Sequence, residues 1–151
     1  SKGVFKGFSA YYCHNTHVAQ VAEVELEDGY PIVKKVICAV DCGILVNPIG
    51  GNNQAVGGII DGIGHAMYGD FEFKKGIPNS KNFDKFELIR MNQTPKVEVH
   101  FVKNDFSPTG LGEPTLPPVG AAISNAIYKA MGVRLYKQPF SKELKLKNII
   151  G

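Results

Sequence analysis

Between Val56 and Met67 the apolar residues Val56, Ile59, Ile60, Ile63 and Met67 recur at helical spacing, yet Gly57, Gly58, Gly62 and Gly64 stand among them. Each interior glycine costs a helix about 1 kcal/mol relative to alanine. Omitting four side chains makes physical sense only where the backbone must come close to another element or to a ligand. The spacing therefore predicts a helix over 53–67 that is held by what presses against it, entered through a Gly/Asn-rich turn after Asn47-Pro48.

The rest of the chain supplies a sheet for that helix to cover. Residues Val4 to Tyr12, Val18 to Glu27 and Ile32 to Val40 alternate or run β-branched and aromatic, and Asp28-Gly29 sets a hairpin between the last two. The run Val36-Ile37-Cys38-Ala39-Val40 is apolar at every position, which predicts a central strand covered on both faces. Tyr68 to Lys74 alternates as a further strand, turned by Lys75-Gly76, and Val97, Val99 and Phe101 alternate with Lys96, Glu98 and His100 as another. Asn104 to Pro118 holds too many prolines and glycines for regular structure and reads as a structured loop. Val119, Ala122, Ile123, Ala126, Ile127 and Ala130 mark one face of a second helix, 118–131, closed by Gly132. Val133 to Tyr136 reads as a last short strand. The fold class is α+β: a mixed, largely antiparallel sheet with two packed helices over residues 1–140, followed by a basic C-terminal tail over 141–151 that docks on a neighbour or frays.

Composition removes several classes of function. A formal charge of +3, carried by dispersed lysines and only two arginines, gives no basic stripe for nucleic acid. No apolar run approaches the roughly 18 to 20 residues that cross a bilayer, so no membrane span is expected. Cys13, Cys38 and Cys42 are an odd number of thiols in a chain long enough to fold without staples, and a disulfide framework is not expected. The chain begins Ser1-Lys2-Gly3 without methionine, as a piece excised from something longer would.

The chemistry concentrates in Thr109-Gly110-Leu111-Gly112-Glu113-Pro114. Gly110 and Gly112 leave the main chain bare beside Glu113, and Pro114 biases that residue towards an extended conformation, so a carboxylate stands on a stiff, open loop. The following helix N-terminus could offer donors to an anion. Gln54 heads the glycine-rich helix with an amide that both donates and accepts. A solvated proline-rich turn and an ordinary helix-entry glutamine are the plain alternatives. Gly62-Ile63-Gly64 and Gly110-Leu111-Gly112 both lack the further residues of a dinucleotide fingerprint or a Walker loop. His14 and His17, three apart on a β-like segment, point to opposite faces; Cys38 and Cys42 are about 13 Å apart along a strand and read as packed thiols. His65 and His100 show no paired acid in the sequence.

Taken in order, Val18 to Val24, Cys38 to Gly43, Asn47-Pro48 with Gln54, Gly57-Gly58-Ile59-Ile60, Leu88 to Asn92 and Thr109 to Pro114 carry a likeness. Over about residues 3 to 140 the chain resembles the C-terminal part of the large, molybdopterin-binding subunit of xanthine oxidase family molybdenum hydroxylases, isoquinoline 1-oxidoreductase and aldehyde oxidase type subunits above all. The resemblance implies a molybdenum-cofactor-binding-domain-like fold and water-derived hydroxylation of a small-molecule aldehyde or N-heterocycle. It also implies molybdenum-molybdopterin in the cytosine dinucleotide form, with iron-sulfur clusters on a partner subunit or domain. Glu113 matches the family's catalytic base. Gln54, Thr109, Gly110 and Gly112 match cofactor-binding positions, the glycine-rich helix backs the pterin, and no side chain ligates the metal. The partners implied are the remainder of the large subunit and an iron-sulfur subunit, with the isolated piece inactive by itself. A reading of a different class is a non-catalytic binding or assembly domain that retains this scaffold and docks through strand edges and tail.

Overall fold

The structure, a computed structural model, describes residues 3–147 and 149. Three strands follow one another as two hairpins: β1 (Phe5–Cys13), β2 (Thr16–Glu27) and β3 (Tyr30–Asp41). Each connection has two residues, His14-Asn15 and Asp28-Gly29. All four have positive φ, between 50° and 81°, as a turn that matches the right-handed twist of its strands requires. The first hairpin lacked a glycine and so gave no signal in the sequence.

After β3 the chain enters α1 (Pro48–Met67), and a two-residue ribbon follows, β4 (Phe73–Lys74) against β5 (Ile77–Pro78). β6 (Lys96–Phe101) then returns parallel to β3, completing the sheet order β1-β2-β3-β6. α1 starts five residues earlier than its apolar spacing indicates, because Asn47 accepts a hydrogen bond from Gly50 N at 2.9 Å and Pro48 fits the first turn. Of the strand expected over Tyr68 to Lys74, only Phe73–Lys74 forms, and Val133 to Tyr136 is not a strand.

α2 (Pro117–Met131) lies across β1 and β2, and its close approach explains Gly7: a Cβ there would stand 2.0 Å from the Ala122 carbonyl oxygen. Val18, Ala22, Val24, Val36, Cys38 and Val40 from the sheet meet Ile59, Ile63 and Met67 from α1 and Val119, Ile123 and Ile127 from α2. Each fully buried side chain of this size contributes about 1.5–3 kcal/mol. The central strand is covered on this face alone. Ala39 is exposed and Ile37 half-buried on the other, so the expectation of two covered faces is corrected: the helices pack on one side only.

The tail does not fray at its start. α3 (Phe140–Leu146) sends Phe140 and Leu144 into the core, while Glu143 accepts hydrogen bonds from the Tyr136 and Lys137 amides, both at 2.8 Å, and pairs with Lys147 at 2.9 Å. The end of the tail, residues 148, 150 and 151, lies outside the described residues.

Candidate functional site

The loop that carries Glu113 is tied down at both ends. Where it leaves β6, Val102 N donates to Val40 O at 2.8 Å, Asn104 bonds the Asp41 carboxylate, and Ile44 N donates to Phe106 O at 2.9 Å. Gly43, at φ 71°, must be glycine here, since a Cβ would fall 2.3 Å from Ser107 O. Where the loop joins α2, Leu116 N donates to Glu113 O at 3.0 Å, a turn with Pro114 at its second position. Pro114 and Thr115 are buried. Beneath them the buried Gln20 donates Nε2 to Thr115 O at 2.7 Å, and Thr115 Oγ1 donates to Ala55 O on α1 at 3.2 Å. A sheet residue, a loop residue and a helix residue are thereby linked in series.

That link brings two expected site residues together. A Cβ on Gly112 would lie 3.6 Å from Gln54 Oε1, the nearest atom it would meet. Gln54, Gly112 and Glu113 are all exposed, and Gly57, three residues after Gln54 on the same helix face, opens onto empty space. The glycines beside it have a different cause. A Cβ at Gly58 would stand 2.6 Å from Thr115 Oγ1, and one at Gly62 would stand 2.6 Å from Leu116 O. A Cβ at Gly64 would stand 3.3 Å from Ile89 Cγ2, so the costly glycines are explained in part by protein packing, with Gly57 as the one of the four that leaves room for a ligand.

Thr109 and Gly110 are engaged elsewhere. Thr109 N donates to Cys42 O at 3.0 Å and its hydroxyl meets Thr16 Oγ1 at 2.7 Å; Gly110 N donates to His14 O at 3.1 Å, and its carbonyl accepts from the Thr16 hydroxyl. These contacts fasten the loop to the β1–β2 turn. His14 reaches further: its Nε2 lies 2.9 Å from Glu113 Oε2. A carboxylate only accepts, so the imidazole N–H is the donor.

Several expectations need correcting. The α2 N-terminus is not a ready anion site, because Pro117 and Pro118 carry no N–H, and Val119 and Gly120 behind them are buried. His14 is not strand-borne but sits in the turn, while His17 stacks against Tyr12 with ring centroids 4.5 Å apart. His65 does have an acid nearby, Asp61, one helical turn back at 3.6 Å. Cys38 and Cys42 are packed thiols, and burial pushes the Cys38 thiol up to about 11 despite the Gln20 amide beside it. Sequence reasoning weighed His14 only beside His17 and missed its contact with Glu113, and it missed the contacts of Thr16, Gln20 and Thr115. Gln20 had a signal: it is the polar member of the inward row Val18, Gln20, Ala22, Val24.

The exposed Gln54 amide and the open helix face at Gly57 fit one polar edge of a molybdopterin. An exposed amide, a bare glycine facing it and a glycine on the open helix face can take a flat polar ring, and the adjacent carboxylate can take a proton. Comparisons with known proteins agree on the class. The sequence profile of the molybdopterin cofactor-binding domain matches residues 2–95, ending before the Glu113 loop. The chain is 35% identical over 122 residues to the membrane-bound aldehyde dehydrogenase [pyrroloquinoline-quinone] of Gluconacetobacter polyoxogenes, covering 81% of this chain and 16% of that protein. It is 34% identical over 132 residues to isoquinoline 1-oxidoreductase subunit beta of Brevundimonas diminuta, covering 86% and 17%. Among solved structures, the aldehyde oxidoreductase of Desulfovibrio gigas superposes with a TM-score of 0.73 at 29% identity, covering 86% of this chain and 15% of that one. The chain therefore spans about a sixth of the length of the relatives it matches. With a profile match over most of its length and a fold shared with such enzymes, the chain belongs to the molybdopterin cofactor-binding domain family.

Proposed function

We propose that this chain is the part of a molybdenum hydroxylase that supplies the general base, Glu113, and one wall of the molybdopterin site. The observation that carries the reading is the approach of the exposed Gln54 amide to Gly112, the residue next to the exposed Glu113, on a loop tied to sheet and helix by the Gln20–Thr115–Ala55 linkage. When bound, the molybdenum cofactor would supply two-electron oxidation of a substrate C–H bond with oxygen drawn from water. Gln54 would hold a polar edge of that cofactor through its amide, Gly112 would admit it against the main chain, and Thr109 and Gly110 would keep the loop in register. Glu113 would accept the proton released during the reaction, the task of a positioned general base.

The relatives' names support an aldehyde or N-heterocycle as substrate class. The remainder of a large subunit and an iron-sulfur partner complete the proposal, with the cofactor in its cytosine dinucleotide form. The name of the Gluconacetobacter relative carries pyrroloquinoline quinone instead. Mass spectrometry and metal analysis of the cofactor-loaded protein separate the two, and the proposal requires molybdenum with a pterin.

Glu113→Gln in that loaded protein is expected to lower kcat by about 10²–10⁴-fold while the molybdopterin content stays at the parental level. Turnover at the parental rate would overturn the base assignment and leave the non-catalytic scaffold as the better reading.

A further inference from the structure

The β1–β2 turn meets the Glu113 loop at several points. Gly110 N donates to His14 O at 3.1 Å, Thr16 bonds both Thr109 and Gly110, and a Cβ on Gly110 would come within 2.5 Å of His14 Cβ. The two backbones are thus in near contact, and the His14 ring is launched from a fixed point beside Glu113. His14 itself has φ 50°, a conformation that only glycine adopts freely and that asparagine, aspartate and histidine tolerate best among the rest. Its ring meets one carboxylate oxygen, Oε2, at 2.9 Å. Oε1 receives no hydrogen bond from the described residues.

This pair does little for folding. The His14 and Glu113 side chains are 58% and 81% exposed, and ion pairs so open to water contribute almost nothing to stability. What the contact does is distinguish the two carboxylate oxygens: Oε2 meets a donor on a turn fastened to the loop, and Oε1 does not.

We infer that His14 is a positioning residue for Glu113: its Nε2–H holds Oε2 in place and leaves Oε1 as the atom that takes the proton. The inference rests on the reading of Glu113 as the base. His14 touches neither substrate nor cofactor in this role, and acts by keeping the base in its productive orientation. A side chain of similar reach with an amide donor in place of Nε2–H can do the same work.

The test uses the cofactor-loaded protein that carries this chain. His14→Ala is expected to lower kcat roughly tenfold with KM unchanged, as misplacement of a catalytic group does, and His14→Gln is expected to restore most of the parental kcat. Cofactor content should be equal in all three proteins. A second readout does not depend on turnover. Carbethoxylation of His14 by diethyl pyrocarbonate, followed by mass spectrometry, should run several-fold faster in Glu113→Ala than in the parent, with His17 and His65 as internal references. The inference is overturned if His14→Ala turns over at the parental kcat, if His14→Gln is as slow as His14→Ala, or if His14 is modified at the same rate in both backgrounds. Parental turnover in Glu113→Gln would sink the base reading and this inference together. An inactive Glu113→Gln beside a fully active His14→Ala would sink the role of His14 alone.

Discussion

Gln20, on the inward face of the second strand, donates its amide to the carbonyl of Thr115 at 2.7 Å from a position 1% exposed to solvent. Ser9 on the first strand makes a parallel link, donating its hydroxyl to Pro118 O at 2.7 Å. Gln20 Oε1 is buried without a partner. Replacing Gln20 by methionine keeps the volume and strands the Thr115 carbonyl, which is expected to cost about 1–3 kcal/mol. Urea denaturation should show a lower midpoint with an unchanged slope, since the surface exposed on unfolding stays the same.

Gly57 and Gly58 are neighbours with opposite surroundings. Gly57→Ala adds a methyl group to open space and removes a helix penalty, so it is expected to stabilise the chain by up to about 1 kcal/mol. Gly58→Ala drives a methyl group into the Thr115 hydroxyl and is expected to destabilise by about 1–3 kcal/mol. Thermal unfolding resolves the two, at roughly 2–4 °C per kcal/mol in a chain of this size. In the cofactor-loaded protein Gly57→Ala should also lower molybdopterin content, because the added methyl group takes up the space beside Gln54.

The three thiols should separate cleanly on reaction with iodoacetamide. Burial raises both Cys38 and Cys42 above the usual thiol range, whereas Cys13 is half-buried at the end of β1. The thiolate is the reacting species. Peptide mapping of the native chain is therefore expected to find Cys13 modified, and Cys38 and Cys42 modified only after denaturation.

Glu143 should give stability a defined acid limit. Burial opposes its charge, but the Lys137 and Tyr136 amides together with the Lys147 ammonium outweigh that and hold its carboxyl below the usual glutamate range. A carboxyl whose folded-state value is depressed stabilises the fold above its unfolded value, roughly 4.3, and that contribution disappears as pH falls through the folded-state value. Glu143→Gln is expected to be less stable than the parent by about 1 kcal/mol at pH 7. The gap should close as pH drops below 4, as denaturation series at several pH values will show.

The parts of the fold that alternation and helical spacing encode were legible in the sequence. β2, β6 and α2 lie where those periods place them, and β3 and the body of α1 do too, although α1 starts earlier than its spacing shows and β3 is covered on one face only. The β1–β2 turn was not legible, since His14-Asn15 reaches a left-handed conformation without glycine. The open face of the sheet was hidden too: Ile37 and Ala39 are apolar yet uncovered, and composition alone does not say what covers a residue. At the candidate site, Glu113, Gln54 and Gly112 were proposed from loop chemistry and resemblance, and the structure brings Gln54 beside Gly112. The residues that hold them, Gln20, Thr16, Thr115 and His14, act across distances that no local pattern records.

Those distances have a kinetic consequence. The contacts that hold Glu113 and the loop after it join residues 99, 95 and 60 positions apart, and contacts so remote in sequence form slowly because the intervening chain must first be closed into loops. The arrangement proposed for Glu113 therefore depends on long-range contacts that local structure alone does not supply. A half-collapsed chain can contain every one of these residues and still leave Glu113 unplaced, so the loop takes its position only with the native sheet and helices around it.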